Sequence, residues 1–382
     1  MTQNREVYLD NAATTYCNGE VFFAMQPYFI SNYGNPHATH HAGATAKTAV
    51  EVARAKVAQI INADPDEIYF TASATEANNW ILKGIVEASP IKRVIISAIE
   101  HPSIMETARW LVEHGVTVDY VRVDDNGVIS VPDLLAKLSK PACLVSVMTA
   151  NNEVGTVQYI NTIANICAQN NVYFHTDATQ ALDSVHIDVK EMEITALSLS
   201  GHKIYGPKGI GALYIKKGTR INNLMHGCSE ENVPAIVGLG KAVEICLRDG
   251  STTNARIKQL RDYFIKEVTD KIPAAKLNGH PTQRLVNNVN FSFQAVQGES
   301  VVALLDLSGI CASTGSVHHH EARSHVLQAM NVDDDYINGA VRFTLGRSTT
   351  KEDIDYTVEK LITIVHNLRA ISPIKLGGNK NV

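Results

Sequence analysis

Lys203 stands in the run Ser200-Gly201-His202-Lys203-Ile204-Tyr205-Gly206-Pro207-Lys208-Gly209, and Asp177-Ala178-Thr179-Gln180 lies upstream of it. A lysine in a serine- and histidine-flanked turn, just after the apolar stretch 194–199, is what a pyridoxal phosphate enzyme needs. Its amine can form a Schiff base with the cofactor's aldehyde, while nearby hydroxyl and imidazole groups bind the phosphate. An upstream aspartate can pair with the pyridinium nitrogen and keep it protonated, so that the ring draws electrons. A bare His-Lys pair would mean little; its order after an Asp-x-x-Gln run carries the signal.

Those side chains need a frame. Alternating patterns predict helices over 44–62, 75–87, 102–114, 132–138 and 160–169. Between them, strands are predicted over 67–71, 93–97, 116–123, 143–149 and 172–175. This β-α-β-α order argues for an α/β fold with a mostly parallel sheet and helices on both faces. Ligands in such sheets sit at the carboxyl ends of the strands. His101, Asn152, Asp177 and Lys203 all fall just after predicted strands, which suggests one shared site. Past Gly240 a long helix is expected to about 269, followed by strands at 287–293 and 341–345 and helices at 299–307, 321–330 and 351–368. The reading is a large domain over 16–255 and a smaller α+β domain over 256–382, with the N-terminal segment 1–15 packing on the latter.

Composition narrows the function classes. The 382 residues, 45% of them hydrophobic, can build a sizeable core, and the net charge is −5. Charges of both signs are interspersed, so no basic footprint for nucleic acid or anionic lipid exists. No signal-peptide layout and no apolar run of membrane-spanning length is present, which points to the cytoplasm. Cysteines stand at 17, 143, 167, 228, 246 and 311, with no C-x-x-C pair to suggest a zinc ribbon. Cys143, Cys167 and Cys246 lie in apolar patterns and read as buried thiols. Cys228 follows Gly227 in a polar, loop-like stretch.

Taken together, several motifs resemble those of the cysteine desulfurases, class V of the fold-type I pyridoxal phosphate enzymes. They are Tyr8-Leu9-Asp10-Asn11-Ala12-Ala13-Thr14-Thr15, Gly34-Asn35-Pro36-His37, Thr71-Ala72-Ser73-Ala74-Thr75-Glu76-Ala77-Asn78-Asn79 and Glu100-His101. Asn151-Asn152-Glu153-Val154-Gly155, His175-Thr176-Asp177-Ala178-Thr179-Gln180, Lys203 and Arg342-Phe343-Thr344-Leu345-Gly346-Arg347 complete the set. The resemblance implies a large domain with a seven-stranded, mostly parallel sheet, a smaller α+β C-terminal domain and a homodimer. It implies that Lys203 carries pyridoxal 5'-phosphate and moves protons at Cα, that Asp177 pairs with the ring nitrogen, and that Gln180 meets the phenolic oxygen. His101 would stack on the ring and can exchange a proton with the substrate. Ala74, Thr75, Ser200 and His202 would form the phosphate cup, and Arg342 with Asn152 would hold the α-carboxylate of L-cysteine. Arg347 is a second candidate for the carboxylate clamp, and blander roles stand beside the rest: Thr75 as an ordinary helix cap, His101 as a core or loop histidine, Arg342 as a salt-bridge partner.

Two departures from the family pattern stand out. The family's nucleophilic cysteine follows a Ser-Thr-Gly-Ser-like stretch, but here Ser313-Thr314-Gly315-Ser316-Val317 leads into His318-His319-His320. Imidazole cannot carry a persulfide. In place of a Gly-rich segment ending in Gly-Thr-Glu-Asn, the chain has Met225-His226-Gly227-Cys228-Ser229-Glu230-Glu231-Asn232. One adaptation can explain both: Cys228 takes over sulfur acceptance, in its own or the partner's active site, and passes sulfur to an acceptor protein. Against this stand an incidental thiol, a metal ligand with the histidines, and Cys311 as another acceptor. The activity expected is a cysteine desulfurase making alanine and an enzyme persulfide for iron–sulfur or thio-compound assembly. The rivals are a C–S lyase giving pyruvate, ammonia and sulfide, and a non-catalytic scaffold; no metal site is assigned.

Overall fold

β-Branched and aliphatic residues crowd the segments that become strands, and the computed structural model assembles them into three sheets. It describes residues 5–227, 230–315 and 323–374; Cys228 and His318 to His320 lie outside the described residues. Strand β1 (Val7–Tyr8) comes first. The next seven are β2 (Ile68–Thr71), β3 (Arg93–Ser97), β4 (Thr117–Val121), β5 (Leu144–Ser146), β6 (Tyr173–Asp177), β7 (Ala196–Ser200) and β8 (Gly211–Ile215). They form one sheet in the order β2-β8-β7-β6-β5-β3-β4. Neighbours from β7 to β4 run parallel, and β8 alone runs antiparallel to both its neighbours. Strands β9 (Ala275–Leu277) and β10 (Asn288–Phe293) belong to a second sheet. Strand β11 (Ile310–Cys311) pairs in parallel with β1, and β12 (Ala340–Thr344) joins β10 antiparallel.

The order of the main sheet dictates where a ligand can bind. The chain moves outward from β3 to β4, then returns so that β5 lies on the other side of β3. Crevices open at the carboxyl ends of strands around such a reversal. The loops after β3, β5 and β7, and the end of β6, therefore face one region.

Both faces of the main sheet are covered. Val50, Val57, Ile163 and Leu239 pack with Val145 and Leu197 in one core, and Ile81, Ile85, Ile104 and Leu111 with Val94 and Leu144 in another. Buried on both sides, β7 is enclosed along its whole length, as central parallel strands are. The helix Val233–Lys271 gives Ile236, Leu239 and Val243 to the first core. Further along it gives Ile257, Phe264 and Val268 to a separate core with Val7, Leu9, Phe291 and Phe343.

Several predicted boundaries move for local reasons. The helix expected from 44 begins at His41, because the His40 imidazole accepts from the Gly43 N–H. The long helix begins at Val233, where the Asn232 side chain caps the Ala235 N–H and Pro234 occupies the first turn. Strand β6 runs past 175 to Asp177, so Asp177 ends its strand rather than following it. Its carbonyl accepts from Thr149, and the strand stays paired although its last residues are polar. The helix expected over 321–330 is described as His325–Ala329.

Gly211 couples this frame to the helix Ala74–Ala88. A Cβ there would lie 2.7 Å from the Leu199 carbonyl oxygen, 2.8 Å from Ser73 C and 3.0 Å from Ala74 N. All three are backbone atoms and cannot swing away. Gly211→Ala is therefore expected to cost about 1–3 kcal/mol of stability by overpacking, read as a lower urea midpoint; an unchanged midpoint would show that the strand and helix yield freely.

Candidate active site

A cavity of about 680 Å³ opens at the carboxyl ends of the main-sheet strands. Ala74, Thr75, His101, Asn152, Asp177, Gln180, Ser200, His202, Lys203 and Arg342 all line it. Ten residues drawn from distant parts of the sequence thus share one wall. Arg347 does not: it lines a small adjoining cavity that shares Gln180 and Lys203 with the first, its guanidinium 4.3 Å from the Tyr205 ring centre. The described residues flanking Cys228 do not line the main pocket either, while Gly315 and Arg323, which flank 316–322, do.

Lys203 ends a short turn after β7. Its Nζ donates to the carbonyl oxygens of Ala12 at 2.6 Å and Ala13 at 2.7 Å. Burial, then the neighbouring Arg342 guanidinium, push this amine down to about 8, against the opposing pull of Asp10 and Asp177. Gln180 Nε2 shares the Ala12 carbonyl at 3.0 Å. His202 places Nδ1 3.1 Å from Thr14 Oγ1. Burial and the ammonium groups of Lys203 and Lys208 push that imidazole down to about 4, so it is neutral near pH 7.

Asp177 has both carboxylate oxygens engaged: Oδ1 accepts from the Thr179 N–H at 2.9 Å and Oδ2 from Asn78 Nδ2 at 2.8 Å. Two residues earlier on β6, His175 is fully buried, with Nδ1 2.9 Å from Ser146 Oγ and Nε2 3.0 Å from Ser198 Oγ. Burial outweighs the attraction of Asp177 and pushes it down to about 4. His175 is therefore neutral near pH 7 and adds no positive charge beside Asp177.

At the start of the helix Ala74–Ala88 the cap is Ser73, whose side chain accepts from the Glu76 N–H at 3.2 Å. The capping role considered for Thr75 thus belongs to Ser73, and Thr75 faces the pocket. First-turn N–H groups lack intrahelical partners, and the helix dipole favours an anion there. Arg342, only 2% exposed, donates to Asp10 Oδ1 at 2.9 Å and to the Asn152 carbonyl at 3.1 Å. Its salt-bridge role is real, yet its Nε is buried without a partner among the described atoms.

Several residues here had no role in the sequence reading. Asn78 and Ser103 join Asp177 to the His101 turn, and Asp10, Ala12 and Ala13 seat Lys203 and Arg342. Thr179 and His325 also line the pocket. Their signal was present only as membership of quoted motifs: Asn78 in Thr75-Glu76-Ala77-Asn78, Thr179 in Asp177-Ala178-Thr179-Gln180, Ala12 and Ala13 in the N-terminal run. Ser103 and His325 had none.

Glu100 lies beneath the His101 turn, fully buried. Its Oε1 accepts from Ser97 Oγ at 2.6 Å and from the Met148 N–H at 2.8 Å. Burial raises this carboxyl from 4.5 to about 8, with Asp177 adding to the effect against those two hydrogen bonds. Between those values the folded state holds a proton that the unfolded chain has lost, so stability falls as pH rises. The slope from this group is on the order of 1 kcal/mol per pH unit. Glu100→Gln is expected to flatten stability between pH 5 and 8; urea melts that keep the full wild-type slope would refute the assignment.

Comparison with known proteins agrees with this geometry. The family model of class-V aminotransferases matches residues 7–229 and 229–357. Cysteine desulfurase IscS of Methanosarcina thermophila is 46% identical over 98% of this chain and 95% of its own length. The human cysteine desulfurase is 40% identical over 97% of this chain and 84% of its own length. Among solved structures, a NifS-like protein superposes with a TM-score of 0.89 at 34% identity, covering 95% of this chain and 100% of the other. Similarity of that depth over nearly the whole chain makes this chain a member of the cysteine desulfurase family within aminotransferase class V.

Proposed function

We propose that this chain binds pyridoxal 5'-phosphate and takes the sulfur from L-cysteine, leaving alanine, for iron–sulfur cluster or thio-compound assembly. The observation that carries this reading is the half-buried Lys203 amine, pushed down to about 8, in one pocket with Asp177. The site also fits the cofactor in size and in unmet polarity. Its volume lies in the range of small-molecule pockets. Thr179 Oγ1, Arg342 Nε and Asn78 Oδ1 are buried, lack partners among the described atoms, and belong to pocket-lining residues.

Lys203 would hold the cofactor through Nζ, Asp177 would meet its ring nitrogen and Gln180 its phenolic oxygen. His101 would cover the ring, and Ala74, Thr75, Ser200 and His202 would take the phosphate. When bound, the cofactor supplies an aldehyde carbon for an amine and a cationic ring that draws electrons from the substrate's Cα. Arg342 and Asn152 orient the substrate by its α-carboxylate, as a planar guanidinium suits. Lys203 Nζ, in its neutral form, would accept the Cα proton and return it. His101 exchanges a proton with the substrate amine or thiol.

Sulfur transfer needs a thiolate, and Cys228 is assigned that role. Its sulfur attacks the substrate sulfur; an S–S bond forms as the Cβ–S bond breaks. The bonding pair stays on Cβ, which gains a proton and becomes the methyl of alanine. Because the residues around Cys228 lie away from the pocket of their own chain, the reading places this thiol in the partner's pocket. A dimer is supported by exposed apolar side chains near the N-terminus: Phe22 (56%), Phe23 (68%), Phe29 (63%), Ile30 (70%) and Tyr33 (79%). Apolar surface grouped in this way marks association sites.

Product analysis with subunit complementation tests the whole reading. PLP-loaded wild type is expected to yield alanine from L-cysteine when a thiol acceptor is supplied, and to carry one added sulfur on Cys228 when the acceptor is withheld. Lys203→Ala and Cys228→Ser are each expected to be inactive. Co-refolding the two should restore about a quarter of wild-type alanine production, as random pairing into symmetric dimers gives. Full alanine production by Cys228→Ser removes the Cys228 assignment, and pyruvate with ammonia in place of alanine makes the chain a C–S lyase.

A further inference from the structure

The chain leaves β7 through the short turn Gly201–Lys203, and the Gly206 N–H donates back to the Gly201 carbonyl at 2.9 Å. A closure of this kind puts a left-handed residue just before Gly206, where glycine is usual. Here that residue is Tyr205, at φ 64°. A side chain is strained in this conformation, so its neighbours must hold it. Thr15 holds the backbone: its N–H and Oγ1 donate to the His202 carbonyl, both at 3.0 Å, and Oγ1 accepts from the Tyr205 N–H at 3.0 Å. Arg347 meets the buried Tyr205 side chain twice. Its guanidinium carbon lies 4.3 Å from the ring centre, and its backbone N–H donates to Tyr205 Oη at 2.8 Å. Lys203, Tyr205 and Arg347 all line the small adjoining cavity.

Arg347 is itself fixed. Its carbonyl accepts from Arg256 Nη2 at 2.6 Å, its Nη2 lies 3.6 Å from Cys246 Sγ, and the Asp183 carboxylate attracts it. We propose that Arg347 is a positioning residue for Lys203: gripping Tyr205 at ring face and hydroxyl, it holds the strained turn closed and keeps the Lys203 amine on its two carbonyl seats. A cation over an aromatic face is held by the ring's quadrupole, most strongly where water is excluded. The grip also joins the Lys203 turn to β12, the strand that carries Arg342. Lys203 and Arg342, assigned to the cofactor's aldehyde and the substrate's carboxylate, are thereby held at one separation. That last consequence rests on the pyridoxal phosphate reading; the grip itself does not.

Competitive labelling with acetic anhydride, followed by digestion and mass mapping, reads the titration midpoint of the Lys203 amine in the cofactor-free, full-length protein. Wild type is expected to titrate at about 8. In Arg347→Gln the turn opens and the amine gains water. Its midpoint should then rise by about one pH unit or more, toward the ordinary lysine value of about 10.4. The charged and titratable groups around it, Asp10, Asp177, Arg342, His101 and His202, are unchanged by the substitution. A loss of global stability alone would leave the midpoint of the folded protein where it was. A second arm places phenylalanine and its mono-, di- and trifluoro forms at position 205, weakening the ring's hold on a cation stepwise at nearly constant shape. The midpoint should climb with each fluorine. A folded Arg347→Gln protein that keeps the wild-type midpoint overturns the proposal, as does a wild-type midpoint already at the ordinary value. So does a flat fluorination series, which decides the matter where Arg347→Gln does not fold. No cofactor takes part, so failure of the pyridoxal phosphate reading leaves both arms readable.

Discussion

A half-buried amine with no carboxylate bonded to it among the described residues is the constraint on which the site depends. Lys203 Nζ rests on two carbonyl oxygens, those of Ala12 and Ala13. Carbonyls accept from a neutral amine as well as from a charged one, so they hold the side chain in place without enforcing its charge. A carboxylate at the same distance would stabilise the ammonium form and raise its proton affinity. Asp10, the nearest acidic candidate in that segment, is instead engaged by Arg342 at 2.9 Å. One short stretch, Asp10 to Ala13, thereby seats a reactive amine and pairs a buried guanidinium. It is itself tied to β12 by Asn11 Nδ2 and by the Ala12 N–H, which donate to Thr344.

The charges of the pocket are arranged with the same economy. His175 and His202 are both neutral near pH 7, for the shared reason that burial penalises the imidazolium. Glu100, also buried, keeps its proton. Asp177, held by two neutral donors, therefore has no cation bonded to it among the described residues. Such preorganised dipoles and carboxylates would cost no rearrangement on binding of the proposed cationic ring. The parallel strands supply rigidity, since β6 and β7 are buried and fully paired beneath the site.

Much of this was legible in the sequence, for physical reasons that also mark the limits. Strand β3 and the helix Ile160–Gln169 fall where apolar periodicity puts them. The residues after β3, β5 and β7 share a pocket, as strand–loop order in a parallel sheet requires. The antiparallel β8 was not foreseen, because five buried residues ending in Tyr-Ile carry no mark of strand direction. Asp177 was placed beyond its strand, because polar residues at a strand end look like a loop until their backbone partners are known. The Asn78–Ser103 link was invisible: it joins two helix starts that meet only after the sheet has formed. Arg347 matched the expected residue type, but its ring contact with Tyr205 holds it elsewhere.

The chemistry proposed for this pocket depends on which side chain bonds the cofactor. The direct measurement is borohydride reduction of the pyridoxal phosphate-loaded protein, followed by digestion and mass mapping. The account predicts the reduced pyridoxyl group on Lys203 alone, at a stoichiometry of one per chain. A protein that holds the coloured cofactor but yields an unmodified Lys203 peptide, or carries the label on another lysine, would contradict it.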